Sequence, residues 1–236
     1  MPCVLSSQRT SDGGCILLGK TQGQTPYEHS ITNDSNTILI KTDENGNQEW
    51  TRVFGGRFHD EANEIQQTSE GGYIFTGYTL SYSLEGIEQE DKQKMSIWLV
   101  KLNKNGDKEW MKVFDKEGKG LSVQQKTDGG YIIAGFEGPY QGSSDGHGLL
   151  IETDEKGNEK LSKKLNDIEF VEKVIKASDG GYIVVGHPKS IDDGILLLKT
   201  FMKDNNPISI PGFRQIPTIF ALFCVTNLVK WQRKSR

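Results

Sequence analysis

Two short sequence phrases recur along the chain at a nearly constant spacing. The first contains a pair of adjacent glycines and has four copies, at Gly13 and Gly14, Gly71 and Gly72, Gly129 and Gly130, and Gly180 and Gly181. Successive copies are 58, 58 and 51 residues apart, which is too regular for chance and too long for a single hairpin. The chain is therefore predicted to consist of tandem structural units.

The second phrase lies between the copies of the first. It reads ILIKTDENGNQEW in its first copy, and its three copies end at Trp50, Trp110 and Leu161. Both phrases place a glycine-containing turn between short β-branched, aromatic or alternating apolar runs, a pattern that is typical of a β-hairpin. Glycine supplies the positive φ that a tight turn demands. Two hairpins in each unit predict a four-stranded antiparallel sheet.

The predicted fold is all-β. Tandem four-stranded sheets of this length are typical of β-propeller blades, because radial packing buries faces that no single sheet can bury. A stacked or open array of the same sheets is the alternative. The units are predicted at about residues 1–54, 55–114, 115–165 and 166–204, with only three strands in the last. Residues 1–204 are thus predicted to form a partial or four-bladed propeller-like domain.

Both phrases resemble repeats of known families. The residues from Lys41 to Trp50 resemble the tryptophan-docking repeat of quinoprotein-type propellers. The Asp-Gly-Gly-Tyr-Ile phrase resembles repeats found in tandem in bacterial and archaeal surface proteins. The resemblance implies that Trp50 and Trp110 pack between units, and it implies a fold more specifically than an activity. A fragment of a quinoprotein-like oxidoreductase is the alternative to a surface binding protein.

The C-terminal region departs from the repeat. Residues 205–215 are predicted to be a linker that contains Pro211, Gly212 and Phe213, and residues 216–236 a hydrophobic helix with a basic tail. The order of Pro-Gly-Phe, apolar run and four cations resembles the archaeal PGF-CTERM sorting signal. That resemblance implies an archaeosortase as partner, removal of the tail and attachment to the membrane, with the units on the cell surface. The alternative is a buried helix or strand at 216–229 that closes the last unit.

The N terminus shows no secretory signal, because no basic segment followed by an apolar stretch opens the chain. A surface protein needs such a signal. The sequence also begins a few residues into a predicted strand, and we therefore expect that a signal peptide and further units precede it.

The charge balance excludes nucleic acid as a partner. The chain has 28 basic and 32 acidic residues, and without the four cations of its last seven residues the net charge is −8. Nucleic-acid binding relies on clustered lysine and arginine side chains. The three cysteines are widely separated, so neither a disulfide framework nor a zinc site is predicted.

Binding is predicted at the end of the sheets opposite the tight turns. The connections between the second and third strands of each unit, at residues 20–37, 78–96, 136–148 and 187–193, are dissimilar, and the first three are long. Loops held by a rigid scaffold are the usual place for recognition, and solvated spacers are the alternative. The side chains there that suit a glycan or a protein ligand are Tyr27, Tyr82, Tyr140 and His147.

No catalytic residue is predicted, because the four histidines lie at non-equivalent positions without a nucleophile motif. Alternating oxygen-bearing side chains at Asp43, Asn45 and Asn47 resemble a calcium loop, but the third copy has Lys156 in this series. No metal or cofactor is therefore predicted, with calcium as the alternative. Together these features predict a non-enzymatic surface protein that recognises a protein or a glycan.

Overall fold

The computed structural model describes residues 3–21, 35–83, 86–88, 94–139, 146–177, 181–189, 194–200 and 214–217. These residues form strands and turns, and none of them lies in a helix, which confirms the predicted all-β class. The strands are β1 (Cys3–Arg9), β2 (Cys15–Lys20), β3 (Thr37–Thr42), β4 (Gln48–Phe54), β5 (Asp60–Gln67), β6 (Tyr73–Thr79), β7 (Ser96–Leu102), β8 (Lys108–Gln125), β9 (Tyr131–Glu137), β10 (His147–Thr153), β11 (Glu159–Leu165), β12 (Ile168–Lys176), β13 (Tyr182–Pro188), β14 (Gly194–Thr200) and β15 (Arg214–Pro217).

Strands that are consecutive in the sequence pair antiparallel within three sheets, formed by β1–β4, β5–β11 and β12–β15. The middle sheet contains two four-stranded groups, because β8 pairs with β7 up to Glu117 and with β9 from Gly118 onward. We term the four groups units 1 to 4. They consist of β1–β4, of β5–β7 with the first part of β8, of the second part of β8 with β9–β11, and of β12–β15. The strand β8 thus crosses the predicted boundary at residues 114–115 without a break.

The paired glycines serve two different purposes in the turns. The first glycine of each pair has a positive φ, of +91°, +87° and +86° at Gly13, Gly71 and Gly129. The second glycine allows a close backbone approach, because a Cβ on Gly14 would lie 2.0 Å from the carbonyl oxygen of Thr42. Only the first purpose was predicted from the sequence. Gly180 lies outside the described residues.

The core forms where the sheet of one unit packs on the sheet of the next. We term the face of a unit that contacts the next unit its trailing face, and the opposite face its leading face. Successive residues of a strand alternate between these faces, so both faces of units 2 and 3 are apolar. In the first core cluster, Ile16, Leu18 and Leu39 of unit 1 pack with Tyr73, Phe75, Trp98 and Val100 of unit 2. The second cluster joins unit 2 to unit 3 and includes Ile74, Ile97 and Leu99 with Tyr131, Ile133, Leu149 and Ile151. The third joins unit 3 to unit 4 and includes Ile132, Ala134 and Leu150 with Tyr182 and Val184.

The first strands of successive units are also neighbours, with β1 beside β5, β5 beside β8 and β8 beside β12. The side chain of Asn63 donates a hydrogen bond to the carbonyl oxygen of Gly120 at 2.8 Å. The backbone amide of Val123 donates to the carboxylate of Glu64 at 2.9 Å. The same carboxylate pairs with Lys173 of unit 4. One side chain of unit 2 therefore contacts both units 3 and 4.

Unit 4 has a fourth strand that the repeat pattern did not predict. The strand β15 pairs antiparallel with β14, from Gly194 opposite Pro217 to Leu197 opposite Arg214. The strand β15 carries no docking tryptophan, and it overlaps the segment 216–229 for which a strand that closes the last unit was the alternative prediction. The edge of β14 presents backbone N–H and C=O groups that need partners. A segment without a turn signal of its own supplies them, which is why the repeat pattern did not reveal it.

The predicted C-terminal helix at 216–236 starts within a strand, since Ile216 and Pro217 belong to β15. Residues 218–236 and the sorting motif at Pro211, Gly212 and Phe213 lie outside the described residues. Within the ranges that the structure describes, no helix is long and apolar enough to cross a membrane.

Candidate functional site

The two ends of the sheets differ in chemistry. The tight turns of units 1 to 3 lie at one end, which we term the turn end. The strand ends that lead into the connections between second and third strands lie at the opposite end, together with the links between units, and we term this the connection end. Of the four predicted binding residues, Tyr82 and His147 are described, whereas Tyr27 and Tyr140 lie outside the described residues.

Tyr82 supports the connection of unit 2. Its hydroxyl donates a hydrogen bond to the carbonyl oxygen of Gly55 at 2.9 Å, and its ring stacks on Trp98 with centroids 6.5 Å apart. Its backbone forms an isolated bridge with Glu88. The adjacent Ile87 is 62% exposed and supplies apolar surface at this end. Tyr82 thus holds the loop in place, and Ile87 is the more exposed of the two.

A buried aspartate organises the same region. Asp60 has no exposed surface, and its Oδ2 accepts hydrogen bonds from the Gly56 amide at 2.7 Å and the Ser81 hydroxyl at 2.6 Å. Its Oδ1 accepts from the Leu80 amide at 3.1 Å and from the Thr79 hydroxyl. Burial raises the pKa of Asp60, and these hydrogen bonds act against the rise. The carboxyl group joins the link between units 1 and 2 to the loop after β6.

A second polar group lies at the boundary of units 1 and 2, and we term Lys20, Ser35, His59 and Glu61 the His59 cluster. Nε2 of His59 lies 3.1 Å from the Ser35 hydroxyl and 3.4 Å from Oε2 of Glu61. Nζ of Lys20 lies 3.3 Å from the same carboxylate oxygen. The hydrogen bond with His59 lowers the pKa of Glu61; burial opposes this effect, and the charge of Lys20 reinforces it.

An aromatic ring extends the His59 cluster toward unit 3. The imidazole of His59 stacks on Tyr78 with centroids 5.6 Å apart and an interplanar angle of 15°. Nζ of Lys119 lies 4.2 Å from the centroid of the same tyrosine, within the range of a cation–π interaction. Three units therefore build one continuous patch that combines cationic, acidic, hydroxyl and aromatic groups.

The His59 cluster does not form a nucleophile relay. In a serine–histidine–acid relay, the imidazole contacts the serine through one nitrogen and the acid through the other. Ser35 and Glu61 instead share Nε2 of His59. The acid therefore cannot hold the ring in the tautomer that the serine needs. The side chains of Lys20 and His59 are 39% and 29% exposed, so both groups are accessible to a ligand.

His147 lies at a different boundary. It begins β10 of unit 3, and its Nδ1 is 2.9 Å from Nζ of Lys189 in unit 4. Tyr82 belongs to unit 2 and contacts the link that leaves unit 1. The two described residues of the predicted site therefore belong to separate parts of the connection end.

Buried lysines at the turn end were not predicted from the sequence. Lys41 is 2% exposed, and its Nζ lies 2.8 Å from Asp12 and 2.9 Å from Glu49. It also donates a hydrogen bond to the carbonyl oxygen of Thr42 at 2.7 Å. Unit 2 repeats this arrangement with Lys101, Glu70 and Glu109.

A cavity of about 410 Å³ lies next to Lys101, where Trp110 of unit 2 contacts Tyr131 of unit 3. Trp50 meets Tyr73 in the same edge-to-face geometry at the preceding boundary. The centroid distance is 5.8 Å in both pairs. Because the lysine, acid and tryptophan recur together at both boundaries, we assign them to packing between units and not to a ligand site.

The oxygen-bearing side chains considered for calcium are used by the hairpin turn. The carboxylate of Asp43 accepts hydrogen bonds from the Asn45 amide at 2.9 Å, the Asn47 amide at 2.8 Å and the Asn47 side chain at 2.9 Å. Asn103 and Asp154 repeat the two backbone contacts in units 2 and 3. Among the described residues, no group of three or more histidine, cysteine, aspartate or glutamate side chains could hold a metal ion.

The residues of the His59 cluster were not selected from the sequence. They come from three separate segments of units 1 and 2, and no short motif links them. One signal was present, because His59, Asp60 and Glu61 place three titratable side chains at the start of a strand. Alternation along a strand places His59 and Glu61 on one face and Asp60 on the other. The run is therefore compatible with the pairing of His59 with Glu61, but it did not show that Asp60 is the buried residue.

Comparison of the chain with protein-family models and with curated proteins finds no match.

Proposed function

We propose that the chain is a non-enzymatic recognition protein of the cell surface, whose four units form a propeller-like domain and whose connection end binds a protein or a glycan. One observation carries the proposal. The dissimilar connections lie at the same end as a composite patch to which three units contribute, formed by the His59 cluster, Tyr78 and Lys119. Loops and side chains held by a rigid scaffold are the usual means of recognition.

The contacts of Glu64 support the propeller-like arrangement. Its carboxylate, on the first strand of unit 2, contacts Val123 of unit 3 and Lys173 of unit 4. In a linear stack, unit 3 would separate units 2 and 4. Radial packing instead turns the first strands of successive blades toward a common axis. A side chain near this axis can contact the next blade and also the blade after it. The shared contact therefore favours a curved arrangement over a stack.

The chemistry of the patch suits a polar ligand. Lys20 and His59 offer hydrogen-bond donors, Glu61 is an acceptor, and Ile87 adds exposed apolar surface at the same end. Glycan hydroxyls and polar protein loops carry both donors and acceptors. The lack of a relay geometry in the His59 cluster is consistent with binding without chemistry.

We further propose that the C terminus attaches the protein to the membrane after recognition by an archaeosortase. The support is the order of the Pro-Gly-Phe motif at 211–213, the apolar run at 216–229 and the cations at 230–236. The strand β15 directly follows the motif and pairs with β14. Because β15 lies on the tail side of the motif, removal of the tail would also remove β15 from the sheet of unit 4.

The recognition proposal is tested with the labelled full chain on a glycan array and on an immobilised envelope fraction of an archaeal host. The double variant Lys20→Ala, His59→Ala alters the patch. The matched control, Glu44→Ala, Lys104→Ala, alters exposed residues at the turn end. We expect about tenfold weaker binding by the patch variant, since losing one or two charge-assisted hydrogen bonds costs about 1.4 kcal/mol or more.

The control is expected to bind like the unmodified chain. Equal binding by the patch variant and the unmodified chain would contradict the assignment of the connection end. The same holds if the turn-end control alone loses binding.

A further inference from the structure

The leading face of unit 1 is an apolar sheet surface. It carries Leu17, Ile38, Ile40 and Val53, because Leu17 pairs with Ile40 and Ile38 pairs with Val53 across neighbouring strands. In the repeat these positions correspond to Phe75, Trp98, Val100 and Val113 of unit 2. All four of the unit 2 residues belong to the core cluster that joins units 1 and 2.

Equivalent positions differ sharply in exposure. Val53 is 48% exposed, whereas its counterpart Val113 is 8% exposed. Leu17, Ile38 and Ile40 are only partly buried, whereas their counterparts in unit 2 are buried almost completely. The cause is the neighbour, because unit 1 covers the leading face of unit 2. No described unit covers the leading face of unit 1 to the same extent.

Unit 4 presents the complementary surface on its trailing face. Ile183 and Val185 correspond to Ile132 and Ala134 of unit 3, which have no exposed surface. In unit 4 both residues are partly exposed. Ile175, which pairs with Ile183 on the same face, is 38% exposed. Among the described residues, the leading face of unit 1 and the trailing face of unit 4 are therefore both incompletely covered.

We infer that the leading face of unit 1 binds the trailing face of unit 4 of a second copy of this chain. Each of the three internal clusters joins a trailing face to a leading face, so the packing that fits the leading face of unit 1 is already present within the molecule. Within one chain the two faces do not bury each other, as their exposure shows. A second copy supplies both partners with the same repeat geometry. The inference does not depend on the proposed ligand.

The contact is heterologous, since it joins two different surfaces. Such contacts close into a ring when the rotation between copies permits it, and otherwise extend into a chain. Burial of the apolar side chains on both sides supplies the driving force.

The test uses the full chain and two single variants at exposed positions. Val53→Asp places a charge on the leading face, and Ile175→Asp places one on the trailing face. Ile87→Asp is the matched control, because Ile87 is an exposed apolar residue outside both faces. Mass is measured by size-exclusion chromatography with light scattering and by sedimentation velocity, from low to high micromolar protein. Thermal melts check that each variant is folded.

We expect the unmodified chain and the Ile87→Asp control to associate as concentration rises, and each face variant alone to remain monomeric. Mixing the two face variants distinguishes a head-to-tail contact from a symmetric one. The Val53→Asp chain keeps its trailing face and the Ile175→Asp chain keeps its leading face, so the mixture is expected to form a one-to-one dimer that grows no further.

Three results would overturn the inference. The first is an unmodified chain that stays monomeric at high micromolar concentration. The second is association that persists in either face variant, because this locates the contact elsewhere, including the C-terminal residues. The third is a mixture of folded face variants that stays monomeric although the unmodified chain associates.

Discussion

Lys126 and Glu152 form an ion pair in unit 3 at the two positions where units 1 and 2 have a threonine and a lysine. In units 1 and 2 the buried cation, Lys41 or Lys101, comes from the third strand. In unit 3 the third strand supplies the acid Glu152, and the cation comes from the residue before the first turn. The fourth-strand glutamate is replaced by Lys160. Units 1 to 3 thus all contain a lysine–carboxylate ion pair at this place. In unit 3 the lysine and the carboxylate occupy different repeat positions than in units 1 and 2.

This exchange predicts that substitutions at Lys126 and Glu152 have coupled effects on the free energy of unfolding. Lys126→Thr leaves the largely buried Glu152 without its cation, and Glu152→Lys places a second cation beside Lys126, whose side chain is 8% exposed. Each single variant is expected to lower the free energy of unfolding by about 1–3 kcal/mol. The triple variant Lys126→Thr, Glu152→Lys, Lys160→Glu recreates the unit 1 pattern. It is expected to recover most of the stability that the single variants lose. Urea unfolding at neutral pH measures all of these values.

All three substitutions in unit 3 change the charge of a side chain. A control is therefore needed that shows the effect of a charge change outside this group. Lys104→Thr changes an exposed lysine at the turn end of unit 2 and is expected to alter stability by less than about 0.5 kcal/mol. If the stability loss of the triple variant equals the sum of the losses of its single substitutions, the exchanged residues do not act as a pair.

The turn glycines give a second prediction, because they differ in what surrounds them. Gly46 and Gly106 both have positive φ, at +85° and +80°, which confirms the turn conformation predicted for them. A Cβ on Gly46 meets nothing within 4 Å, whereas a Cβ on Gly106 lies 2.8 Å from the ring of Trp50. Gly46→Ala is therefore expected to cost about 1 kcal/mol through backbone strain alone. Gly106→Ala is expected to cost more.

The additional cost at Gly106 should depend on the tryptophan. Trp50→Ala alone is expected to cost about 3 kcal/mol, since the indole packs on Tyr73 of the next unit. In that background, Gly106→Ala and Gly46→Ala are expected to have similar effects. A Gly106→Ala cost that is unchanged by removing Trp50 would show that the ring does not restrict this turn. Thermal or denaturant unfolding of the three single variants and the two double variants measures these costs.

The third prediction concerns acid stability. The hydrogen bond from Lys41 is the main cause that lowers the pKa of Asp12 from 3.8 to about 2. A carboxyl group with a depressed folded-state pKa stabilises the protein above its unfolded pKa, and this contribution is lost as the pH falls through the folded pKa. The window for Asp12 is therefore about pH 4 to pH 2.

Asp12→Asn removes this titration. At neutral pH the variant is expected to be less stable than the unmodified chain, and the difference should narrow as the pH falls from about 4 to 2. Chemical unfolding at a series of pH values measures the difference. A gap that stays constant over this window would mean that the Lys41 contact does not set the ionisation of Asp12. Salt is expected to reduce the gap, because the Asp12 side chain is 54% exposed.

The fourth prediction separates the C-terminal tail from the sheets. A chain that ends at Pro217 keeps β15 and its pairing with β14, so its thermal midpoint is expected to stay within a few degrees of the full chain. A chain that ends at Asn206 lacks β15 and exposes the edge of β14, so it is expected to melt earlier or to aggregate. Circular dichroism measures both.

In an archaeal host, membrane fractionation of the same two truncated chains tests attachment. Both are expected to be absent from the membrane fraction, because both lack residues 218–229 of the apolar run and the terminal cations. Membrane association of the chain that ends at Pro217 would contradict attachment through the tail.

Repetition made most of the fold predictable. The paired glycines, the Asn-Gly turns and the alternating apolar runs are local properties, and they determined the all-β class, the antiparallel hairpins and the four units. The positive φ of Gly46 and Gly106 also followed from local turn chemistry. Where the repeat pattern stops, prediction stopped as well. The strand β15 has no turn signal, and only the open edge of β14 gives it a place.

Contacts between distant segments were decided by the tertiary structure. The second glycine of the pair is required at Gly14 and Gly72 by a carbonyl and a lysine that approach it from another strand, and at Gly130 by the carbonyl of Thr153. The His59 cluster joins Lys20, Ser35 and Glu61 from separate segments, and Tyr82 turns out to support a loop. A sequence records the turn that each residue favours, because that preference acts over a few neighbours. The resemblance to a docking repeat implied that Trp50 and Trp110 pack between units, and both contact a tyrosine of the next unit. Which other side chains meet across a unit boundary depends on the packing of whole sheets, which a preference of this kind does not specify.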